Sequence, residues 1–336
     1  MLIHVILAVA IVLAAAALLF LCATPRGLVS PPTGLLIRMS AQMARSNPVT
    51  RDVAARRRKN DSDMLIISAR SSANLSVEDR QIDGPEGRIP LRIYKPAGRE
   101  PGSTLLFIHG GGWVLGGIAC YDPVARALCD ESGALVVSVD YRLAPEHPFP
   151  AAIDDVLAAY QWILGGMGNG STPGSVFVAG DSAGGNLAAS LCIQARERQL
   201  PLPAGQLLFY PVTDLSRTDR PSYTSFAEGF LLDRADMQWF ISLYTPAESQ
   251  RKDVRASPLL APDLSGLPPA LVLTAAFDVL RDEGEDYAAA LRSAGVEVRA
   301  RRMRGLIHGF LSMSRFVPAS GRCVRMAAAF MREHVV

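Results

Sequence analysis

Gly180-Asp181-Ser182-Ala183-Gly184 is the segment of this chain best suited to covalent chemistry. Val176-Phe177-Val178-Ala179 reads as a strand leading into it, and a helical pattern follows at once. A serine in so sharp a strand-to-helix turn has strained dihedrals, and the residues two positions away on either side must be nearly without side chains. The turn lifts Ser182 Oγ to the start of a helix, where the positive dipole end favours developing negative charge. A second segment, His109-Gly110-Gly111-Gly112-Trp113, follows the apolar run Thr104–Ile108. Glycines after a buried strand let backbone N–H groups approach a ligand closely, as stabilisation of an oxyanion requires. Phosphate-cradling loops need other spacings, GxGxxG or GxxxxGK[ST], which are absent here. The expected donors are Gly110 and Gly111, joined by Ala183, the residue after the serine.

A serine nucleophile needs a base, and the base needs a carboxylate. On folds that carry this elbow, the chain order is serine, acid, histidine. The histidines are His4, His109, His147, His308 and His334. Only His308 and His334 follow Ser182, and His334 lies almost at the carboxy terminus. His308, in Leu306-Ile307-His308-Gly309-Phe310, is therefore the expected base. The strand Leu271–Phe277 ends at Asp278, where a carboxylate can fix the imidazole tautomer and stabilise the imidazolium. Asp282 and Glu283 are rivals that better suit the first turn of the next helix.

The elements that must position these residues alternate. Strand-like runs fall at Ile89–Lys95, Thr104–His109, Ala134–Asp140, Ser175–Gly180, Gln206–Tyr210, Ala270–Ala276 and Val296–Arg301. Helical patterns fall at Pro123–Glu131, Ala151–Leu164, Ala183–Arg198, Glu283–Ala294 and Val324–His334. Such alternation predicts an α/β fold with parallel strands and helices on both faces. Residues 213–262 break the pattern and read as an inserted cap with helices around Ala235–Tyr244, where pockets and lids are usually built. Residues 76–336 form the expected catalytic domain, with a linker and cap helices at 25–75. Within that segment, Arg56-Arg57-Arg58-Lys59 reads as a solvated helix face, or as a contact with anionic lipid headgroups.

Lys+Arg of 34 against Asp+Glu of 32 gives a net charge of +2, so nothing favours a nucleic-acid partner. Five widely spaced cysteines without a CxxC pair suggest neither a disulfide framework nor a zinc site. Leu2 to Ala23 is a nearly unbroken apolar run that accounts for most of the positive mean hydropathy of +0.19. Its length matches a bilayer core, and it lacks the charged start and the cleavage pattern of a signal peptide. The expectation is a transmembrane anchor at 1–24. Arg26, Arg38 and Arg45 follow it, which places the catalytic domain on the cytoplasmic side of a membrane.

Taken together, these motifs resemble the hormone-sensitive-lipase-like carboxylesterases of the α/β hydrolases. The resemblance covers about residues 76–336 and also rests on Tyr141-Arg142-Leu143-Ala144-Pro145-Glu146-His147-Pro148-Phe149-Pro150 and Asp278-Val279-Leu280-Arg281-Asp282-Glu283-Gly284. It implies a mostly parallel eight-stranded sheet, a helical cap, and a serine esterase that favours short acyl chains. The family's triad falls on Ser182, Asp278 and His308, and its oxyanion glycines on Gly110 and Gly111. Val279 departs from the proline common after the acid. An amino-terminal anchor is absent from many relatives, although arylacetamide-deacetylase-like enzymes carry one. The substrate implied is a small ester, no metal or cofactor is implied, and a homodimer is compatible with the family. The rival readings are a deacetylase, amidase or lipid-ester hydrolase with the same triad, and a non-catalytic binding protein on the same fold.

Overall fold

The computed structural model describes residues 14–335, apart from 18, 25, 47–50, 70–73, 99 and 169–173. Eight strands form one sheet: β1 (Leu75–Gly84), β2 (Gly87–Pro96), β3 (Ser103–Ile108), β4 (Leu135–Val139), β5 (Ser175–Asp181), β6 (Gly205–Phe209), β7 (Ala270–Phe277) and β8 (Val298–Ile307). Their order is 8-7-6-5-3-4-2-1. The strands from β3 to β8 run parallel to one another, while β2 is antiparallel to both β1 and β4.

The central strands are buried along almost their whole length, which is why they read as apolar runs rather than alternating ones. Helices α3 (Ile118–Ser132) and α9 (Ala319–Glu333) pack together on one face. On the other lie α4 (Ala151–Leu164), α5 (Ala183–Glu197) and α8 (Arg281–Ser293). β1 has no counterpart among the expected strands. Its sequence, LSVEDRQIDG, is mostly polar and mostly exposed, because it is an edge strand held by a hairpin to β2. The opposite edge, β8, carries Arg299, Arg301, Arg302 and Arg304. Charge on an edge strand discourages pairing with another chain.

The amino-terminal expectation is corrected. No helix among the described residues is long and apolar enough to cross a membrane. Residues 1–13 and 18 of the apolar run lie outside the described residues; 14–17 and 19–22 are helical. The helical residues stop at Cys22, where Ala23–Thr24 pairs antiparallel with Gly27–Leu28. Val29 N–H donates to Cys22 O at 2.9 Å, and Ser30 N–H reaches Gly305 O at 2.9 Å on the end of β8. The end of the run is thus folded back onto the domain. Arg26 and Arg38, taken as markers of membrane side, bind backbone carbonyls instead: Arg26 that of Ser225, Arg38 those of Phe20 and Ala23. The cytoplasmic placement loses its basis with the anchor.

Helices α1 (Pro31–Ser46) and α2 (Val53–Ile67) precede the sheet. Of the basic cluster on α2, two members face the protein. Arg56 pairs with Asp236 at 2.6 Å and lies over the Trp239 ring. Arg57 donates to both Glu146 oxygens and to the carbonyls of Val114 and Ala144. Neither is a free headgroup ligand. Glu146, in the Tyr141–Pro150 run, is Arg57's partner, so this run fixes the chain rather than offering a reactive pair.

Between β6 and β7 the insertion carries α6 (Pro221–Ser225) and α7 (Arg234–Tyr244), the latter begun by a capping box of Asp233 and Asp236. Asn186 on α5 ties both roots of this insertion, donating to Val212 O at 3.1 Å and Ala256 O at 2.8 Å. α7 rests on the glycine loop after β3, with Trp113 and Tyr244 stacked at 4.4 Å.

Candidate active site

Ser182 sits between β5 and α5 with φ 54° and ψ −118°, a conformation an L-residue adopts only at a cost of about 1–3 kcal/mol. The surrounding chain enforces it. Ser182 N–H donates to Phe209 O at 2.9 Å, and Ser182 O accepts from Val212 N–H at 3.2 Å. A Cβ on Gly180 would lie 2.2 Å from Gly184 O, and one on Gly184 would lie 2.0 Å from Ile108 O. These contacts are the physical content of G-x-S-x-G: side chains at either glycine would strike backbone.

The structure brings Ser182, His308 and Asp278 together from three loops. His308 Nδ1–H donates to Asp278 Oδ2 at 2.8 Å, which leaves Nε2 to accept from Ser182 Oγ–H at 3.0 Å. Asp278 is buried, and its other oxygen accepts the Leu280 N–H at 2.9 Å. Gly309, at φ 78°, turns the chain just after the histidine. Tyr210 packs edge-on against the imidazole at 4.7 Å, and Phe310 packs on Tyr210.

The two rival carboxylates face elsewhere. Asp282 accepts the Ser222 N–H at 2.7 Å and pairs with Arg281. Glu283 accepts the Thr213 N–H at 2.8 Å, anchoring the start of the cap insertion. Burial pushes the Glu283 carboxyl up from 4.5 to about 8, against the Thr213 bond and the charge of Arg220. A carboxyl raised in the folded state binds its proton more tightly there than in the unfolded chain. Its stabilisation is full below pH 4.5 and is lost as pH rises through about 8. The thermal midpoint is expected to fall over that interval, with a flatter profile for Glu283→Gln. An unchanged slope in the variant, measured by calorimetry across the interval, would show that Glu283 does not titrate with folding.

The oxyanion loop requires one correction. Gly110 N–H is not directed at Ser182, because it donates to Asp181 Oδ1 at 2.9 Å. Gly110 O is held as well, by His109 Nδ1 at 2.7 Å. A planar peptide puts its N–H opposite its C=O, so holding Gly110 O on one side turns Gly111 N–H to the other. Gly111 and Gly112 have φ of 111° and 62°, in the region that favours glycine. A Cβ on Gly112 would fall 2.4 Å from the Phe240 ring of α7. Gly111 and Gly112 follow Gly110 on this loop, and Ala183 stands at the first turn of α5, where N–H groups have no intrahelical partner. The sequence offers three glycines in a row, and which N–H is already occupied depends on partners distant in the chain.

His109 is fully buried, and burial holds its pKa below the ordinary imidazole value, with Asp140 acting against it. A neutral ring that donates through Nδ1 is what the Gly110 carbonyl requires. Asp181 gives no signal in the sequence, since its position in the elbow motif carries no chemical requirement. Cys120, Cys129, Cys192 and Cys323 are buried. Among the described residues no group of His, Cys, Asp and Glu is arranged to hold a metal ion.

A family model described as the alpha/beta hydrolase fold matches residues 105–312. Carboxylic ester hydrolase LipN of Mycobacterium tuberculosis is 44% identical over 269 residues, which span 78% of this chain and 71% of that protein. Ethyl acetate hydrolase of Pseudomonas putida is 34% identical over 285 residues, covering 83% of this chain and 89% of its own. Among solved structures, the ester hydrolase EH1AB1 from the metagenome of Lake Arreo, complexed with a bipyridine phosphonate derivative, superposes with a TM-score of 0.87 at 40% identity. That match covers 91% of this chain and 99% of the other. The hyperthermophilic esterase of the archaeon Pyrobaculum calidifontis gives 0.84 at 38% identity, over 90% and 97% of the two chains. The chain belongs to the hormone-sensitive-lipase-like carboxylesterases, ester hydrolases on the α/β-hydrolase fold.

Proposed function

We propose that this serine carboxylesterase cleaves small, mainly short-chain acyl esters through an acyl-enzyme on Ser182. The observation that carries the reading is the unbroken hydrogen-bond chain Ser182 Oγ, His308, Asp278, at 3.0 and 2.8 Å. Ser182 Oγ attacks the ester carbonyl carbon as its proton passes to His308 Nε2. The carbonyl oxygen becomes an oxyanion facing the N–H groups of Gly111, Gly112 and Ala183. His308 returns the proton to the departing alkoxide, and the alcohol leaves. Water then attacks the acyl carbon, giving its proton to His308 Nε2. Collapse returns that proton to Ser182 Oγ and frees the acid. Asp278 keeps the imidazole proton on Nδ1 throughout.

Support for a short acyl chain comes from the cap. Ser182 is only 7% exposed, and α7 closes over the loop with Phe240 on Gly112 and Tyr244 on Trp113. Ethyl acetate hydrolase, a relative along most of the chain, is named for a two-carbon acyl ester. A p-nitrophenyl ester series from acetate to palmitate tests this. The highest kcat/KM is expected at butyrate or shorter, with little turnover of palmitate. A maximum at decanoate or longer would reverse the assignment. Faster hydrolysis of p-nitroacetanilide than of p-nitrophenyl acetate would instead favour amide cleavage.

A further inference from the structure

Asp181 occupies the variable place of the elbow motif, yet its carboxylate is buried beneath the site and touches all three of its parts. Oδ1 accepts the Gly110 N–H of the oxyanion loop at 2.9 Å. Oδ2 accepts Tyr121 O–H at 3.2 Å and Tyr210 O–H at 3.3 Å. Tyr210 is the ring packed edge-on against His308, and its oxygen accepts Leu311 N–H at 3.3 Å, just beyond that histidine. The backbone that carries Asp181 continues directly into Ser182. One carboxylate therefore reaches the nucleophile covalently, the oxyanion loop by one hydrogen bond, and the histidine loop through one tyrosine.

The fit is close. A Cβ on Gly110 would lie 2.6 Å from Asp181 Oδ2, so only glycine lets the carboxylate come this near the loop. A buried carboxylate is costly unless its oxygens are satisfied, and here three donors converge on it. Oxyanion donors act only when held close to the position of the developing charge, and losing one costs about 10²- to 10³-fold in kcat. Gly110 immediately precedes the first proposed donor. Its C=O is pinned by His109 and its N–H by Asp181.

We propose that Asp181 is a positioning residue for ester hydrolysis: it locks the oxyanion loop to the nucleophile elbow, so that the Gly111 and Gly112 N–H groups and Ser182 Oγ keep a fixed mutual geometry. This inference rests on the serine-esterase reading above. It differs from a purely structural role in what it predicts for the transition state. Removing the acceptor should impair oxyanion stabilisation while leaving ground-state binding nearly intact.

The test compares Asp181→Ala and Asp181→Asn with the parent, using the full chain. The readouts are kcat and KM on p-nitrophenyl butyrate and Ki for a trifluoromethyl ketone, which adds Ser182 to form an oxyanion. For Asp181→Ala, kcat is expected to fall about 10²-fold with KM within about threefold, and the Ki to weaken in step with kcat/KM. Asparagine keeps an amide oxygen for Gly110 N–H and should restore kcat to within about tenfold of the parent. The proposal is overturned if Asp181→Ala keeps the parent kcat, if its Ki is unchanged while kcat falls, or if Asp181→Asn is as impaired as Asp181→Ala. Should Asp181→Ala not fold, Tyr210→Phe carries the test, since it removes one donor to Asp181 and keeps the ring against His308. The same parallel fall in kcat and affinity is expected, on a smaller scale, and unchanged values would overturn the proposal. Activity surviving Ser182→Ala would undo the esterase reading itself; an inactive Ser182→Ala beside a fully active Asp181→Ala would undo only this inference.

Discussion

Ser182→Ala is expected to lower kcat on p-nitrophenyl butyrate by at least about 10⁴-fold while leaving the protein folded. Oγ is the atom that forms the acyl bond, and nothing adjacent can substitute for it. Asp181 is turned under the loop and Ala183 offers only backbone. Alanine retains the backbone strain, because φ 54° with ψ −118° is unfavourable for any residue bearing a Cβ. Ser182→Gly relieves that strain, at an entropic cost in the unfolded chain of about 0.4–1 kcal/mol. The glycine variant should therefore be as inactive as the alanine variant and unfold at the same temperature or higher. Turnover and thermal midpoint together separate the chemistry of Oγ from the geometry of the elbow. A near-parental rate for Ser182→Ala would remove the serine from the mechanism. A glycine variant markedly less stable than alanine would show that the unusual dihedrals store no strain.

The parts of the site legible in the sequence are those whose constraints act locally. Gly180 and Gly184 announce the elbow because a Cβ at either would strike backbone within a few residues or on the adjacent strand. His308 and Asp278 follow from chain order and from the apolar strand that ends at Asp278. What was not legible depends on partners far along the chain. Three successive glycines look equivalent until Asp181 claims one N–H and His109 the same residue's carbonyl. Arg56 and Arg57 look like a solvated charge run until Asp236 and Glu146 are brought to them across the fold. β1 is hidden for the opposite reason: as an edge strand it has little to bury, so its composition carries no apolar signal. The amino-terminal run was misread because hydropathy measures composition and does not locate the turn at Cys22.

Asp278→Asn and Asp282→Asn form the sharpest paired test, since the two carboxylates stand four positions apart in the same motif. In the parent, Asp278 Oδ1 accepts Leu280 N–H and Oδ2 accepts His308 Nδ1–H. Asparagine has one acceptor and one donor. With its oxygen retained by Leu280 N–H, its NH₂ faces His308 Nδ1, which must then accept. The imidazole proton moves to Nε2, and Nε2 can no longer take the proton from Ser182 Oγ. The wrong tautomer of a triad histidine costs about 10⁴-fold in kcat, so Asp278→Asn is expected to lose that much with KM little changed. Asp282→Asn retains an oxygen for Ser222 N–H and loses only its pairing with the adjacent, part-buried Arg281. Its kcat should stay within about threefold of the parent, because weakening an ion pair outside the triad leaves the triad's own hydrogen bonds in place. Steady-state kinetics on p-nitrophenyl butyrate decide between them: an equal or larger loss from Asp282→Asn would transfer the acid role away from Asp278, whatever the distance to His308.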